Sequence, residues 1–283
     1  MSADPWPDLD FDVTHARRIG GQHGVDHFQL RTASGQVAFA KVAAGDADRA
    51  GFAAEAAGLR WLRDAHAVPV PEVLAVTGSV LVIEWVDEGR PAAAAAGKFG
   101  AALARLHLAG ADHFGAPWPG MIAGLPLPNA PADSWPDWYA ASRVLPFARL
   151  ARDRGELSAA DVALVESAAD RFAEVSGSPE PPSRIHGDLW AGNVLWSGGR
   201  GWLIDPAAHG GHRETDLAML ALFGAPHLER IMRGYTGTAP LADGWRARVP
   251  LHQLHPLLVH VCLFGSSYAA QVRAAARAAL TGS

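Results

Sequence analysis

The chain has 283 residues, 49% of them hydrophobic, and a formal net charge of -5. This length and apolar content predict a sizeable buried core, with two lobes as the expected organisation. The arginines are scattered and form no basic stripe of the kind that binds a phosphate backbone, so no nucleic-acid partner is expected. A small-molecule ligand is favoured instead.

Cysteine and membrane signals are both sparse. The single cysteine, Cys262, lies in an apolar run and is expected to be a buried thiol, so disulfides and cysteine-ligated zinc are excluded. Residues 1–10 are acidic and lack the basic and apolar regions of a secretion signal, and no later apolar run reaches the ~18 residues of a membrane span. We therefore expect a cytoplasmic protein with no membrane partner.

The first part of the chain is typical of a small antiparallel sheet with one helix. Residues 17–43 alternate as strand, turn and strand, with a turn at Ser34-Gly35. Apolar residues at helical spacing then predict a helix over about 48–65. Strand patterns return at 71–78 and 79–86, joined at Gly78-Ser79.

Long helices dominate the rest of the chain. They are predicted over 98–110, 134–151, 158–175 and 245–280. Ser158 is the expected N-cap of its helix, and Pro250 and Pro256 are expected to kink or break the last one. The sequence therefore predicts an α+β protein with an N-terminal lobe over 1–86 and a larger, mostly helical lobe over 87–283.

Polar residues at fixed spacing follow in the stretch HGDLWAGN, His186 to Asn193. Two short apolar runs around Ser-Gly-Gly-Arg predict a hairpin that returns the chain and brings Asn193 close to Asp205. An amide oxygen and a carboxylate can share a hard cation such as Mg²⁺. Asp188 would stand beside them, where a carboxylate can orient an acceptor hydroxyl and take its proton in phosphoryl transfer.

The stretch resembles the catalytic loop of protein kinases, H-R-D-L-x-x-x-N. The matching residues are His186, Asp188, Leu189 and Asn193. Gly187 replaces the arginine, and Asp205-Pro206-Ala207 stands where protein kinases have Asp-Phe-Gly. The missing arginine argues against control by activation-loop phosphorylation. The resemblance points to small-molecule kinases of the aminoglycoside phosphotransferase and choline kinase type, and it implies a two-lobed protein-kinase-like fold that uses ATP and Mg²⁺.

Such a fold needs groups that hold the nucleotide phosphates. Lys41 lies on the predicted third strand and Glu55 on the following helix, where the ammonium can hold the phosphates and the glutamate can fix its position. The alternative, an ordinary strand lysine, is disfavoured in a chain whose only other lysine is Lys98. Gly20, Gly21 and Gly24 could cover the phosphates through backbone N–H groups, or serve only as turn residues.

Five further residues are interpreted from the same resemblance. Glu84, Trp85 and Val86 end the fifth strand, where backbone groups would pair with adenine; the alternative is a plain connecting strand. Asp216 opens a helix, either as a favourable N-terminal carboxylate or as a hydrogen-bond acceptor for the catalytic loop, and both can hold. His186 is interpreted as a packed residue that supports the loop.

Histidines recur in the second half of the chain and raise the question of a metal. They are His209, His212, His252, His255 and His260. Because no H-E-x-x-H or comparable carboxylate spacing accompanies them, a zinc site has little support. The histidines of the tail are expected on helix faces, partly buried, where they can line an acceptor pocket.

The resemblance narrows to the fructosamine kinase (ketosamine kinase) family and covers nearly the whole chain. The segments that carry it are residues 134–155, 184–196, 203–224 and 240–268, which include the signature HGDLW-x-GN with Trp190. It implies ATP-dependent phosphorylation of the 3-hydroxyl of a ketosamine, fructosamine or ribulosamine, free or protein-bound, and hence a deglycation activity. Leu127 and Pro128 precede Asn129 where relatives carry glutamine, so the acceptor loop departs from the family. The redox cysteine of some relatives is absent from GGQHG.

Two alternatives come from other functional classes. An aminoglycoside kinase needs an acidic acceptor face, but four acidic residues stand against seven arginines after Asp205. A nucleotide-binding pseudokinase acting as an interaction module would have no need of Asp188. Both are therefore less favoured than the ketosamine kinase.

Overall fold

In a computed structural model, residues 6, 8–22, 24–43 and 49–281 are described. The N-terminal part is an antiparallel sheet of five strands in the order β1-β2-β3-β5-β4. The strands are β1 (Val13–Gln22), β2 (Val25–Thr32), β3 (Val37–Ala43), β4 (Val73–Val76) and β5 (Val80–Glu84). Residues 80–83 of β5 are buried, which explains why this strand reads as an unbroken apolar run.

Helix α1 (Arg49–Asp64) connects β3 to β4, close to the predicted span. Its apolar stripe of Phe52, Ala56, Leu59 and Leu62 is buried, as the helical spacing indicated. The lobe boundary that the sequence predicts after Val86 falls in the irregular segment between β5 and the next helix, and it stays a prediction.

The remainder of the described chain is mostly helical. Its helices are α2 (Ala93–Leu108), α3 (Trp135–Tyr139), α4 (Leu145–Asp153), α5 (Ala159–Ala169), α6 (Phe172–Val175), α7 (Arg213–Phe223), α8 (Leu228–Thr236), α9 (Trp245–Phe264) and α10 (Ala269–Thr281). Its strand pairs are β6 (Gly120–Ile122) with β7 (Leu125–Leu127), β8 (Ser183–Ile185) with β11 (His209–Gly211), and β9 (Val194–Ser197) with β10 (Arg200–Leu203). Among the described helices, none is both long and apolar enough to cross a membrane.

Three predicted helices are divided in the structure, and the 245–280 segment becomes α9 and α10, separated by residues 265–268. Residues 134–151 form α3, a π-helical turn (Ala140–Val144) and α4, since Pro146 lacks the N–H that a continuous α-helix would need there. The 158–175 segment begins at Ser158, which forms a capping box with Asp161, but divides into α5 and α6.

Helix α9 runs unbroken through both of its prolines. Pro256 leaves the carbonyl of His252 without its usual helical N–H donor. The hydroxyl of Tyr139 donates to that carbonyl at 2.9 Å instead. The predicted break is therefore wrong, and at Pro256 a side chain from α3 satisfies the freed oxygen. The predicted kink stays a prediction.

The hairpin after Asn193 forms as predicted. Strands β9 and β10 pair in register from Ser197 opposite Arg200, and Gly198 and Gly199 both adopt positive φ, as a two-residue hairpin turn requires. The backbone N–H of Ile204 donates to the carbonyl of Asn193 at 3.1 Å. The two ends of the hairpin therefore meet, and this closure delivers Asp205 to the side of Asn193.

Candidate active site

The loop between β8 and β9 carries Asp188, and Gly187 makes its sharp entry possible. Gly187 has a φ of +80°. A Cβ at this position would lie 2.2 Å from the carbonyl oxygen of Ala207. Both the backbone conformation and the close approach therefore require glycine where protein kinases have arginine.

The Asp216 carboxylate binds the backbone at the start of this loop. One of its carboxylate oxygens accepts from the N–H of His186 at 2.8 Å and the other from the N–H of Gly187 at 2.9 Å. Burial acts to raise the pKa of Asp216, but the hydrogen bond from His107 and the neighbouring imidazoles outweigh it and lower the pKa. The buried carboxylate is thus ionised and satisfied, and it sits in the first turns of α7.

His107 and Tyr235 extend this support, and sequence reasoning missed both. His107 Nε2 lies 3.2 Å from Asp216 Oδ2, and its Nδ1 lies 2.7 Å from the Tyr235 hydroxyl. The three residues come from α7, α2 and α8, so no local pattern links them. Only the packed helices bring them together.

His186 is fully buried and joins the two sides of the loop. Its Nδ1 accepts from the N–H of Asp188 at 3.2 Å, so its Nε2 carries the proton and donates to the carbonyl of Ile204 at 2.9 Å. Burial lowers the pKa of the imidazole. A neutral histidine with both nitrogens occupied fits a supporting role better than that of a proton acceptor.

Asp188 and Asn193 contact each other directly. The Asn193 amide nitrogen donates to the backbone carbonyl of Asp188 at 2.8 Å and to its Oδ2 at 3.1 Å. Burial raises the pKa of Asp188 to about 7; the Asn193 hydrogen bond opposes this, and the charges of Asp205 and Asp216 add to it. A carboxyl with a pKa near neutrality is suited to accept a proton.

Lys41 forms a three-part ion cluster with Glu55 and Asp205. Its Nζ lies 2.9 and 2.8 Å from the two carboxylate oxygens of Glu55, and 2.9 Å from Asp205 Oδ1. Burial acts to lower the pKa of Lys41, but the two carboxylates outweigh it and hold the pKa above its ordinary value. The ammonium is therefore fixed and charged, 164 residues away in sequence from Asp205.

Asp205 adopts an unusual backbone conformation. Its φ is +53°, in the left-handed region that non-glycine residues rarely occupy. Burial works to raise the pKa of Asp205, but Lys41 more than offsets it and the pKa is lowered. The carboxylate is therefore a hard anionic ligand held at a strained position, a combination found at functional sites.

The donor set beside the loop fits a magnesium ion. Within the described part of the chain, Asn193 Oδ1 and Asp205 Oδ2 accept no hydrogen bond, and both residues line the same cleft. Amide and carboxylate oxygens are the ligands that Mg²⁺ takes in nucleotide sites. The residues present therefore suit the ion that the sequence implied.

A cleft of about 760 Å³ contains Asp188 and joins two contrasting ends. One end holds the ion cluster of Lys41, Glu55 and Asp205. The other is lined by aromatic side chains from α7, α9 and the turn after α9, and residues 121–124 of the β6–β7 hairpin also line the cleft. Sequence reasoning identified the first end and missed most of the second.

The other predicted nucleotide-binding residues do not themselves line the cleft in the described part of the chain. The hairpin with Gly20, Gly21 and Gly24 joins β1 to β2, where Gln22 and Val25 line the cavity. Glu84, Trp85 and Val86 are not among the described residues that line it. Their roles toward phosphate and adenine stay predictions.

Of the residues that were expected to shape the acceptor site, some line the cleft and others are buried in the core. Asn129 is buried and accepts from Arg143 at 2.7 Å, away from the cleft. Of the tail histidines, His260 lines the cleft, whereas His252 and His255 are buried in the helical core.

Ligand atoms of His212, Glu214 and His252 lie within 4.8 Å of one another. The Arg248 guanidinium binds both carboxylate oxygens of Glu214, at 2.6 and 2.9 Å. It therefore already supplies the positive charge that a metal would bring.

Comparison with known proteins gives a consistent result. A family model described as fructosamine kinase matches residues 6–281. A probable ketoamine kinase of Synechocystis is 34% identical over 229 residues, which are 78% of this chain and 76% of that protein. The probable ketoamine kinase YniA of Escherichia coli K12 is 34% identical over 226 residues, 77% of each chain.

Solved structures agree with the sequence comparison. A structure from Thermobifida fusca that carries the name fructosamine-3-kinase is 51% identical, has a TM-score of 0.92 and overlaps 96% of this chain and 95% of that one. The aminoglycoside phosphotransferase APH(4)-Ia, solved with AMP-PNP and hygromycin B, is 17% identical and has a TM-score of 0.67 over 96% and 95% of the chains. That second likeness shows a shared protein-kinase-like fold.

Proposed function

The chain belongs to the fructosamine kinase family, and we propose that it transfers the terminal phosphate of ATP to the 3-hydroxyl of a ketosamine, the adduct of a sugar and an amine. One observation carries the proposal beyond family membership. A half-buried carboxyl whose pKa is raised to about 7, that of Asp188, lines the same cleft as the ion cluster of Lys41, Glu55 and Asp205. This is the pairing of a proton acceptor with a phosphate-binding cation that phosphoryl transfer to an alcohol requires.

In the proposed reaction, Lys41 binds the nucleotide phosphates while Glu55 holds the ammonium in place. Asn193 and Asp205 would hold Mg²⁺, which when bound neutralises charge on the phosphates. Gly20, Gly21 and Gly24 are candidates for covering the phosphates, and the 84–86 segment is a candidate for pairing with adenine.

Asp188 acts on the acceptor. Its carboxylate accepts a hydrogen bond from the 3-hydroxyl and takes the proton as the oxygen bonds to the terminal phosphorus and the bond to ADP breaks. His186 and Asp216 position the loop that carries it. The phosphate on C3 then departs, the adduct breaks down, and the amine is restored.

Purified protein tests the proposal directly. With ATP and Mg²⁺, we expect ADP release that depends on fructose-lysine or ribulose-lysine, and ³¹P NMR should locate the phosphate on C3. Phosphorylation of kanamycin alone would favour the aminoglycoside alternative. Binding of ATP with no transfer to any of the three acceptors would favour the pseudokinase alternative.

Asp188→Asn is the decisive variant. We expect kcat to fall by about two to four orders of magnitude, because the amide cannot accept the proton. The affinity for ATP, measured by calorimetry, should stay near the wild-type value and serves as the control for folding. Near-full activity in this variant would contradict the assignment of Asp188 as the proton acceptor.

A further inference from the structure

Exposed apolar side chains concentrate in the cleft. Within the described chain, the exposed large hydrophobic residues are Ile19, Leu108, Trp190, Phe223 and Phe264. Three of these five line the cleft. Isolated apolar residues on a surface need no explanation, but rings gathered in one concave site mark a place where a ligand binds.

The rings form a cluster around His260, which we name the aromatic pocket and define as Phe223, His260, Phe264 and Tyr268. The His260 ring stacks on Phe223 with centroids 4.6 Å apart. Phe264 and Tyr268 lie 5.4 and 5.1 Å from it. These rings come from the end of α7, from α9 and from the turn that follows, so rigid elements hold the pocket open.

His260 presents a hydrogen-bond acceptor in this pocket. Its Nδ1 lies 2.8 Å from the carbonyl oxygen of Pro256, and because a carbonyl can only accept, Nδ1 carries the proton. A neutral imidazole protonated there has a free lone pair on Nε2. Partial burial favours this neutral form by lowering the pKa.

The charges around the cleft are unevenly distributed. Its described carboxylates are Glu55, Asp188 and Asp205, and its described lysine or arginine side chain is Lys41 alone. All four belong to the phosphate end or the catalytic loop. The described residues at the aromatic end carry no formal charge, so no cation there can pair with a carboxylate of the ligand.

We propose that the aromatic pocket binds the amine part of the ketosamine and selects adducts of amines that lack a nearby free carboxylate. This proposal rests on the proposed function. The secondary ammonium of a ketosamine can donate to His260 Nε2 and lie over the faces of Phe264 and Tyr268, which attract a cation. A hydrocarbon chain beyond it packs on the rings, whereas a carboxylate is desolvated without a partner.

Two synthetic acceptors of nearly the same shape test this selectivity. They are the fructose adducts of 3-methylbutylamine and of β-alanine, in which an isopropyl group replaces a carboxylate. We expect kcat/KM for the first to exceed that for the second by roughly ten-fold or more, since the unpaired carboxylate loses its hydration. Equal values for the two acceptors would overturn the proposal.

Substitutions at Phe264 connect the selectivity to the pocket. Phe264→Ala should raise KM for the 3-methylbutylamine adduct roughly ten-fold by removing a π face, whereas Phe264→Trp, which keeps a π face, should raise it by less. The KM for ATP should not change in either variant. Leu108→Ala, which removes an exposed apolar side chain away from the cleft, is the matched control.

The outcomes separate this proposal from the proposed function. If the wild type phosphorylates both adducts but Phe264→Ala behaves like Leu108→Ala, the ketosamine kinase stands and the aromatic pocket is wrong. If the wild type phosphorylates fructose-lysine or ribulose-lysine but neither of these adducts, this inference alone fails. If it binds ATP but phosphorylates none of the four, the proposed function itself fails and this inference fails with it.

Discussion

Asp205 combines strain and charge in a single residue. Its left-handed φ is stabilised by the hairpin closure on one side and the Lys41 ion pair on the other. A conformation of this kind costs a non-glycine residue about 1–3 kcal/mol and persists where the surroundings impose it. The left-handed backbone conformation of Asp205 thus accompanies the placement of its carboxylate in the cleft.

Asp205→Ala should abolish most of the gain in ATP affinity that Mg²⁺ provides. Because the carboxylate is one of two proposed ligands, we expect the dissociation constant of ATP with Mg²⁺ to rise by about ten-fold or more while the value measured in EDTA changes little. Calorimetric titration of both conditions measures this. Asp133→Ala, at a fully exposed aspartate with 95% side-chain exposure, is the control. An unchanged affinity with Mg²⁺ would remove Asp205 from the ligand set.

At the level of single residues, the sequence predicts those site residues that lie a few positions apart in the chain. Asp188 and Asn193 share one loop, and the hairpin turn explains why Asp205 returns to them. No local spacing indicates His107 or Tyr235. His107 contacts Asp216 although the two are 109 residues apart in sequence, and Tyr235 is linked to Asp216 only through His107. Long-range hydrogen bonds between helices carry no periodic signal.

Helices α2 and α8 approach so closely that glycines form their contact. A Cβ on Gly100 would lie 1.9 Å from the carbonyl oxygen of Ile231, and one on Gly234 would lie 2.1 Å from that of Gly97. Backbone therefore packs on backbone at this crossing. The crossing also aligns His107 of α2 with Tyr235 of α8, so it contributes to the support of the catalytic loop.

Gly100→Ala should destabilise the protein, whereas Gly97→Ala should not. The first substitution forces the helices apart and should cost about 1–3 kcal/mol of the free energy of unfolding. The second meets no atom closer than 3.9 Å and should gain up to about 1 kcal/mol from helix propensity. Urea denaturation of the pair measures the difference. Equal stabilities would show that the crossing is looser than the structure indicates.

Sequence periodicity predicted which segments are helical better than where they end. The 134–151 segment kept its helical character through α3 and α4, but Pro146 inserted a π-helical turn between them. Helix α9 kept its continuity although Pro256 argued for a break, because Tyr139 supplies the missing donor. A proline predicts a lost hydrogen bond, and only tertiary structure decides whether the helix survives it.

The molecule as a whole is tied together by buried ion pairs between distant segments. Glu214 of α7 binds Arg248 of α9 through both carboxylate oxygens, with 4% and 8% side-chain exposure. Burial works to raise the pKa of Glu214, but His252 and Arg248 outweigh it and lower the pKa to about 2. The pair therefore couples two helices that flank the catalytic loop and the aromatic pocket.

Glu214→Gln should reveal the pH dependence of this pair. A carboxyl whose pKa is lowered on folding stabilises the protein above its unfolded pKa, near 4.5, and this contribution is lost as pH falls toward 2. We expect the variant to lose about 3–5 kcal/mol of unfolding free energy at pH 7, because Arg248 is left buried and unpaired, and progressively less as pH falls below 4.5.

Chemical denaturation between pH 3 and pH 7 measures that trend. The double variant Glu214→Gln/Arg248→Met should recover part of the loss at pH 7, because it removes the unpaired cation. A deficit that is constant across this pH range would show that packing, and not the charge of Glu214, accounts for the effect.

The two ends of the cleft are formed by different segments of the chain, which bears on how the substrate range of such a kinase can change. The phosphate end is assembled from β3, α1 and the residues that follow β10, beside the HGDLWAGN loop, while the aromatic pocket comes largely from one continuous stretch, residues 260–268. Mutations in that stretch change the proposed amine site without replacing Lys41, Asp188 or Asp205. If the pocket binds the amine as proposed, acceptor range can drift under selection while the phosphate end is preserved, and a library confined to the four cleft-lining positions of this stretch, His260, Leu263, Phe264 and Tyr268, samples new amines without disturbing the buried Val261 and Cys262.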